Sequence, residues 1–289
     1  MRAALSLLIP VAVVLSGCGS KAQLIGGQPR RATPPAVVSL SPSTSEIVGT
    51  CFDARQLVGR TSSDNYPSQI VGTTVVADVK PDFEKIKSIG PGIVLYDGDL
   101  YNDADIKRLE SMNIPTVAIK AKTIVDFEKE LLGLTETLGS ETNCSSYVDR
   151  IEVQRTSAAG NKFTNPPKIA VVLGGGSSSL YVAGTGSFVA DVVKTVGGIP
   201  VGPSADKFAQ MSSEALVAAA PDIIVLATSK ERGAQDFAAL KGDARLRTLP
   251  AIVAGKVIPM NQDVVVRRGG RVDTFIKEMS HKVSLVVQK

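Results

Sequence analysis

The sequence has no tryptophan, a single histidine and three cysteines in 289 residues. A zinc or iron site built from several imidazoles, or a four-cysteine cage, is excluded by those counts. Charge of one sign is also scarce. The 32 basic and 28 acidic side chains leave a net charge of +4, without the dense basic stripe that nucleic-acid binding requires. Past the N-terminus, no apolar stretch approaches the roughly 20 residues needed to cross a bilayer. Serine hydrolysis needs a base, usually histidine. The one candidate, His281, falls in a striped C-terminal helix, far along the chain from the loops that end the strands. The glycine-rich stretch 174–176 is not followed by Lys-Ser or Lys-Thr, so no phosphate loop is formed. Neither catalytic residues nor a cofactor are expected, and the protein reads as a non-enzyme with no metal site of its own.

What is present is a hydrophobic fraction of 44% and a charged fraction of 21%, the balance of a folded globular chain. Residues 3–15 form an apolar run after Arg2, interrupted only by Ser6 and Pro10. Its length suits a signal-peptide core and not a membrane span. The run closes on Leu15-Ser16-Gly17-Cys18, which resembles the lipobox of bacterial lipoproteins. Residues 1–17 are thus expected to be a signal, Cys18 the lipidated residue, and 18–35 a flexible tether rich in glycine, proline and charge. That places the protein outside the cytoplasmic membrane, held by lipid alone. In an oxidising space Cys51 and Cys144 form either a disulfide or two buried thiols.

Short apolar runs then alternate with helical patterns, which predicts α/β layering. Strands are expected at 36–40, 56–59, 92–96, 116–119, 168–173, 222–227 and 256–260. Helices are expected at 43–49, 102–113, 124–138, 187–196, 212–220 and 271–287. Ser43 and Glu46 have the spacing of a capping box. Residues 141–165 keep helical spacing through Cys144, Tyr147, Val148 and Ile151. One long helix there would join an N-terminal lobe, 36–140, to a C-terminal lobe, 166–289. An internal repeat supports two lobes: Glu84 and Glu214 each precede a proline by seven positions, and a strand follows each proline. Both acids fall in the first turn of a short helix, where the helix dipole favours them.

In α/β lobes, ligands sit beyond the carboxyl ends of the strands. That rule selects Ser41, Ser43, Ser63, Tyr66, Tyr96 and Asp97 from the first lobe. From the second it selects Gly175, Ser177, Tyr181, Gln262 and Asp263, and Arg267 is added as a candidate for its charge. Neutral hydrogen-bonding groups and flat tyrosines suit a large planar ligand fringed with amides. Arg60, Arg267, Arg268 and Arg271 could instead meet carboxylates.

Four segments carry a wider resemblance: 37–46, 57–67, 81–95 and, more weakly, 267–276. They resemble the helical-backbone periplasmic binding proteins that serve importers of cobalamin, ferric siderophores and haem. The resemblance implies two Rossmann-like lobes joined by one long rigid helix, with the ligand cleft between them. It implies a monomer that docks on a dimeric ABC permease through Glu84 and Glu214. It also implies a small metal chelate as cargo, a corrinoid or else a ferric siderophore or haem. Cobalamin-binding members often carry tryptophan where this chain has Tyr96.

Overall fold

The computed structural model describes residues 33–78, 80–161, 163–174 and 180–288. Cys18, the expected signal and tether before residue 33, and the cleft candidates Gly175 and Ser177 lie outside the described residues. The N-terminal lobe runs β1 (Val37–Ser39), α1 (Pro42–Cys51), β2 (Leu57–Thr61), β3 (Val75–Ala77), α2 (Phe83–Ile89), β4 (Ile93–Asp97), α3 (Asp103–Ser111), β5 (Thr116–Ile119) and α4 (Ile124–Leu138). Its five strands lie in the order β3-β2-β1-β4-β5, and every pairing is parallel. Next comes α5 (Glu141–Ala159), whose 19 residues span ~28 Å.

The C-terminal lobe follows as β6 (Lys168–Leu173), β7 (Leu180–Ala183), α6 (Phe188–Thr195), β8 (Ile199–Val201), β9 (Phe208–Met211), α7 (Ser213–Ala219), β10 (Ile223–Thr228), α8 (Gly233–Gly242), α9 (Pro250–Val253), β11 (Val257–Asn261), α10 (Gln262–Val266) and α11 (Val272–Val287). Its sheet is mixed, with β11, β10 and β6 parallel and β7 antiparallel to both β6 and β9. Strand β8 shares an edge of β6 with β7.

Local chemistry explains these elements. Helix α4 starts where the Thr123 hydroxyl accepts from the Asp126 amide, and it ends at Gly139 with φ 75°. Between them Ile124, Phe127, Leu131, Leu134 and Leu138 are buried on one stripe. Truncating one such leucine to alanine costs about 2–5 kcal/mol. Helix α11 buries Val272, Phe275, Ile276, Met279 and Val283, the stripe its sequence predicts. One buried cluster takes in Val37, Ile47 and Leu95 of the first lobe, Tyr147 and Ile151 of α5, and Ile223 and Phe275 of the second. The core is therefore continuous through both lobes, and residues 34–289 form one compact unit.

The structure decides between a disulfide and two thiols, and it corrects one expectation. Cys51 and Cys144 are free thiols, fully buried, and the Cys144 thiol donates to the Leu131 carbonyl at 3.3 Å. The neighbouring Cys144 thiol and burial push the Cys51 thiol far up, so the pair fills the core as small hydrophobes. Secondly, the cap of α1 is Ser41, whose hydroxyl accepts from the Thr44 amide. Glu46 does not reach back to the helix start. It is wholly buried and serves the other lobe.

Candidate functional site

Helix α1 begins at the C-terminal end of β1, and α6 holds the corresponding place in the second lobe. Their first turns face one another across a cleft of about 380 Å³. The N-terminal wall is Pro42, Ser43, Asp97, Asp99 and Leu100. The C-terminal wall is Leu173, Ser187, Phe188, Val189, Asp206, Lys207, Phe208, Val265 and Val266. Arg267 and Arg268 close the floor. One wall is thus polar and acidic, while the other is mainly apolar.

The acids are held firmly. Asp97 accepts from the Ser43 hydroxyl at 3.1 Å, from the Asp99 amide at 3.0 Å and from Arg268 at 2.9 Å. Asp99 takes Lys122 at 2.6 Å and Arg268 at 3.3 Å. Lys122 then reaches Asp206 of the opposite lobe at 3.5 Å. A ladder of alternating charge runs from the cleft edge to its floor.

Beneath the floor, Arg267 and Arg271 converge on Glu46 at 3.2 and 2.6 Å. Arg267 also pairs with Asp263 at 3.0 Å, and Asn65 donates to the same acid at 2.9 Å. Glu46 is fully buried, and desolvation raises its carboxyl above the ordinary glutamate range despite both arginines. Gly269 and Gly270 let this strap lie on α1. A β-carbon on Gly270 would stand 2.2 Å from Thr50 Oγ1 and 2.7 Å from the Glu46 carbonyl. The Tyr147 hydroxyl, on α5, donates to the Gly269 carbonyl at 2.6 Å and accepts from the Val272 amide at 3.0 Å.

Of the residues selected from sequence, Ser43, Asp97 and Arg267 line the cleft. The other described ones stand elsewhere. Ser41 is a fully buried helix cap. Ser63 offers its carbonyl to Arg267. Tyr66 stacks on the Arg271 guanidinium, 4.6 Å from its ring centre. Tyr96 points to the opposite face of β4 and packs edge-on against Tyr101. Tyr181 is exposed on β7 and accepts from Gln210. Gln262 begins α10, and Asp263 beside it braces Arg267 from below. Arg60 is spent on the carbonyls of Thr61, Val71 and Thr73. It fixes its own loop. Sequence reasoning missed Phe188, Val189 and Phe208, and it missed that Arg268 completes the floor. The serine cap before α6 was the available signal for the first two.

Glu84 and Glu214 are both exposed in the first turns of α2 and α7. These helices occupy matched places, each leading through a proline into a parallel strand. They differ in detail. The Glu214 carboxyl is held below the ordinary glutamate range by its own backbone amide and by the Ser212 hydroxyl.

Among the described residues, no helix is long and apolar enough to cross a membrane. The family model for periplasmic binding proteins matches residues 37–264. An ABC transporter substrate-binding lipoprotein of Bacillus subtilis, YvrC, itself uncharacterized, is 23% identical over 96% of this chain and 95% of its own. A cobalamin-binding protein of Halobacterium salinarum is 26% identical over 79% of this chain and 63% of its own. Among solved structures, the periplasmic vitamin B12 binding protein BtuF of Vibrio cholerae has a TM-score of 0.75 at 17% identity, covering 89% of this chain and 99% of that one. A periplasmic haem-binding protein of Pseudomonas aeruginosa has a TM-score of 0.71 at 22% identity, covering 85% and 91%. With two α/β lobes, a cleft between them and a family match across most of its length, the chain belongs to the periplasmic binding proteins.

Proposed function

We propose that the protein is the substrate-binding lipoprotein of an ABC importer and that its cargo is a neutral metal chelate of corrinoid type. The observation that carries this reading is the chemistry of the cleft walls. Both floor arginines are already paired with acids. Asp97, Asp99 and Asp206, the acids held by Arg268 and Lys122, supply acceptor oxygens on the same lining. They welcome amide N–H donors. Phe188, Phe208, Val265 and Val266 offer the apolar face that a flat macrocycle needs.

The described lining holds no histidine, cysteine, methionine or tyrosine, the residues that supply axial ligands to haem iron. A chelate that satisfies its own metal suits this cleft best. A cleft of this size lies near the small end of ligand pockets. It grips part of such a cargo and leaves the rest in the open mouth. Haem and ferric siderophores are the alternative cargoes.

Delivery follows from the paired acids. Glu84 and Glu214 would meet basic groups on the two halves of a permease, and lipidated Cys18 would keep the protein at the membrane. Reversing both charges, Glu84→Arg with Glu214→Arg, should abolish uptake and leave cargo affinity unchanged. Unchanged uptake would remove the docking role. Cys18→Ala should release the protein from membranes.

The cargo is tested by thermal melting against cobalamin, cobinamide, haem and ferric siderophores at matched concentration. Ligand at 100 times its Kd adds ~2.7 kcal/mol, a rise of roughly 5–10 °C for a chain of this size. A rise with corrinoids alone is expected. A rise with haem alone would overturn the reading of the walls.

A further inference from the structure

Besides Arg267 and Arg271, which reach Glu46 beneath the floor, two side chains tie one lobe to the other at the cleft acids, and they differ sharply in burial. Lys122 joins Asp99 to Asp206, but Asp206 is 66% exposed and Lys122 31%. A pair in that setting contributes little. Arg268 is the other, with a side chain only 5% exposed. It is carried by the segment that leaves α10, which rests on the C-terminal sheet. Its guanidinium lies wholly within the N-terminal lobe.

There it donates to Asp97 at 2.9 Å, to the Ile119 carbonyl at 3.0 Å, to the Ala121 carbonyl at 2.7 Å and to Asp99 at 3.3 Å. All four acceptors stand at or just beyond the carboxyl ends of β4 and β5. Only a planar fork with several donors can serve so many acceptors at once. Its Nε is buried without a hydrogen-bond partner, an unfavourable feature that persists because the other nitrogens are so well held.

We propose that Arg268 is the positioning residue of the cleft. It holds Asp97 and Asp99 toward the ligand space, and it fixes the distance between the lobes. The glycines that follow it permit the close approach, and Tyr147 clamps the chain just beyond. The cleft can therefore yield at its exposed Lys122–Asp206 rung while its floor stays fixed. The assignment concerns the spacing of the walls, and it holds whatever the cargo is.

The test is an interlobe distance measured by paired spin labels on the full chain without cargo. Labels go on Lys87→Cys of α2 and Val253→Cys at the end of α9, where Val253 is 74% exposed. Cys18→Ser removes the N-terminal thiol, and the buried Cys51 and Cys144 are out of reach of the reagent. Arg268→Met alone strands Asp97 in the interior and could prevent folding. Arg268→Met with Asp97→Asn removes the stranded charge, and a cooperative urea transition checks that it folds.

The unmodified cleft should give one narrow distance. The double variant should at least double the width of the distribution, a change that mere loss of stability would not produce in folded protein. Lys122→Ala should leave the width as it was. A folded double variant with the original width would overturn the proposal. So would Lys122→Ala broadening the distribution as much as the double variant does. Because no ligand enters the measurement, its failure would leave the corrinoid reading untouched, and failure of the ligand panel would leave this one untouched.

Discussion

The first turns of α1 and α6 meet the same cleft from opposite sides, and what they bury is opposite. Helix α1 buries Ser43, Thr44, Ser45 and Glu46 in sequence. Helix α6 buries Phe188, Val189 and Ala190. The first lobe thus places polar and charged groups where a core is expected, and it needs counter-charges that its own sequence does not supply at this point. The second lobe supplies them as the arginines of residues 267–271. The asymmetry of the walls and the attachment of the lobes are one arrangement seen from two sides. A buried charge in one lobe is tolerable because the other lobe neutralises it.

The most direct way to break this arrangement is Glu46→Ala. It leaves Arg267 and Arg271, 11% and 15% exposed, without their shared acid. Removing one partner of a buried pair costs about 3–5 kcal/mol. The urea midpoint should fall accordingly, while a substitution on the C-terminal wall such as Val266→Ala, at an exposed position, should cost well under half as much.

Overpacking the strap comes next. Gly270→Ala forces Thr50 or the α1 backbone to move and should cost about 1–3 kcal/mol by the same measurement.

The comparison sharpens with pH. Burial raises Glu46 above its ordinary value of 4.5. The folded state then keeps a proton that the unfolded state has released. That contribution is full below pH 4.5 and is lost as pH rises through the raised value. Relative to Glu46→Gln, which does not titrate, the unmodified protein should lose stability across that window. A constant difference between the two at all pH values would show that Glu46 keeps an ordinary affinity for its proton.

The smallest effects distinguish the matched helices α2 and α7. Helix α2 ends on Gly90 with φ 62°, whereas α7 ends on Ala220 with φ 48°. A left-handed cap suits glycine, and a β-carbon there is strained by roughly 1 kcal/mol. Ala220→Gly should raise stability by up to about 1 kcal/mol, and Gly90→Ala should lower it by a similar amount. Equal and opposite shifts in thermal midpoint would mark the two caps as equivalent.

Much of the fold was legible in the sequence. The strands at 116–119 and 168–173 and the helix at 124–138 have the bounds predicted for them. Clear periodicity and strong caps made that possible. Strands β7, β8 and β9 of the second lobe were not legible. Strand β8 has three residues, one of them Pro200, and β9 is interrupted by the exposed Gln210 with no residue of it fully buried, so neither carries an apolar run.

The site was legible only in part. The strand-end rule selected both Tyr96 and Asp97, but neighbours on a strand face opposite ways. One of them had to be turned away from the cleft, and it was the tyrosine. Glu46 has the spacing of a helix cap, and its real partners lie 221 and 225 residues away. No local pattern announces a contact at that separation.

The strap also bears on recombination between relatives. Residues 267–271 belong by sequence to one lobe and by contact to the other. A chimera that exchanges whole lobes at the linking helix would join the α1 of one parent to the strap of another. Its Glu46 would meet whatever the foreign segment carried. The exchangeable unit is therefore the N-terminal lobe together with this short C-terminal stretch, and crossovers that respect the linking helix alone should give poorly folded protein.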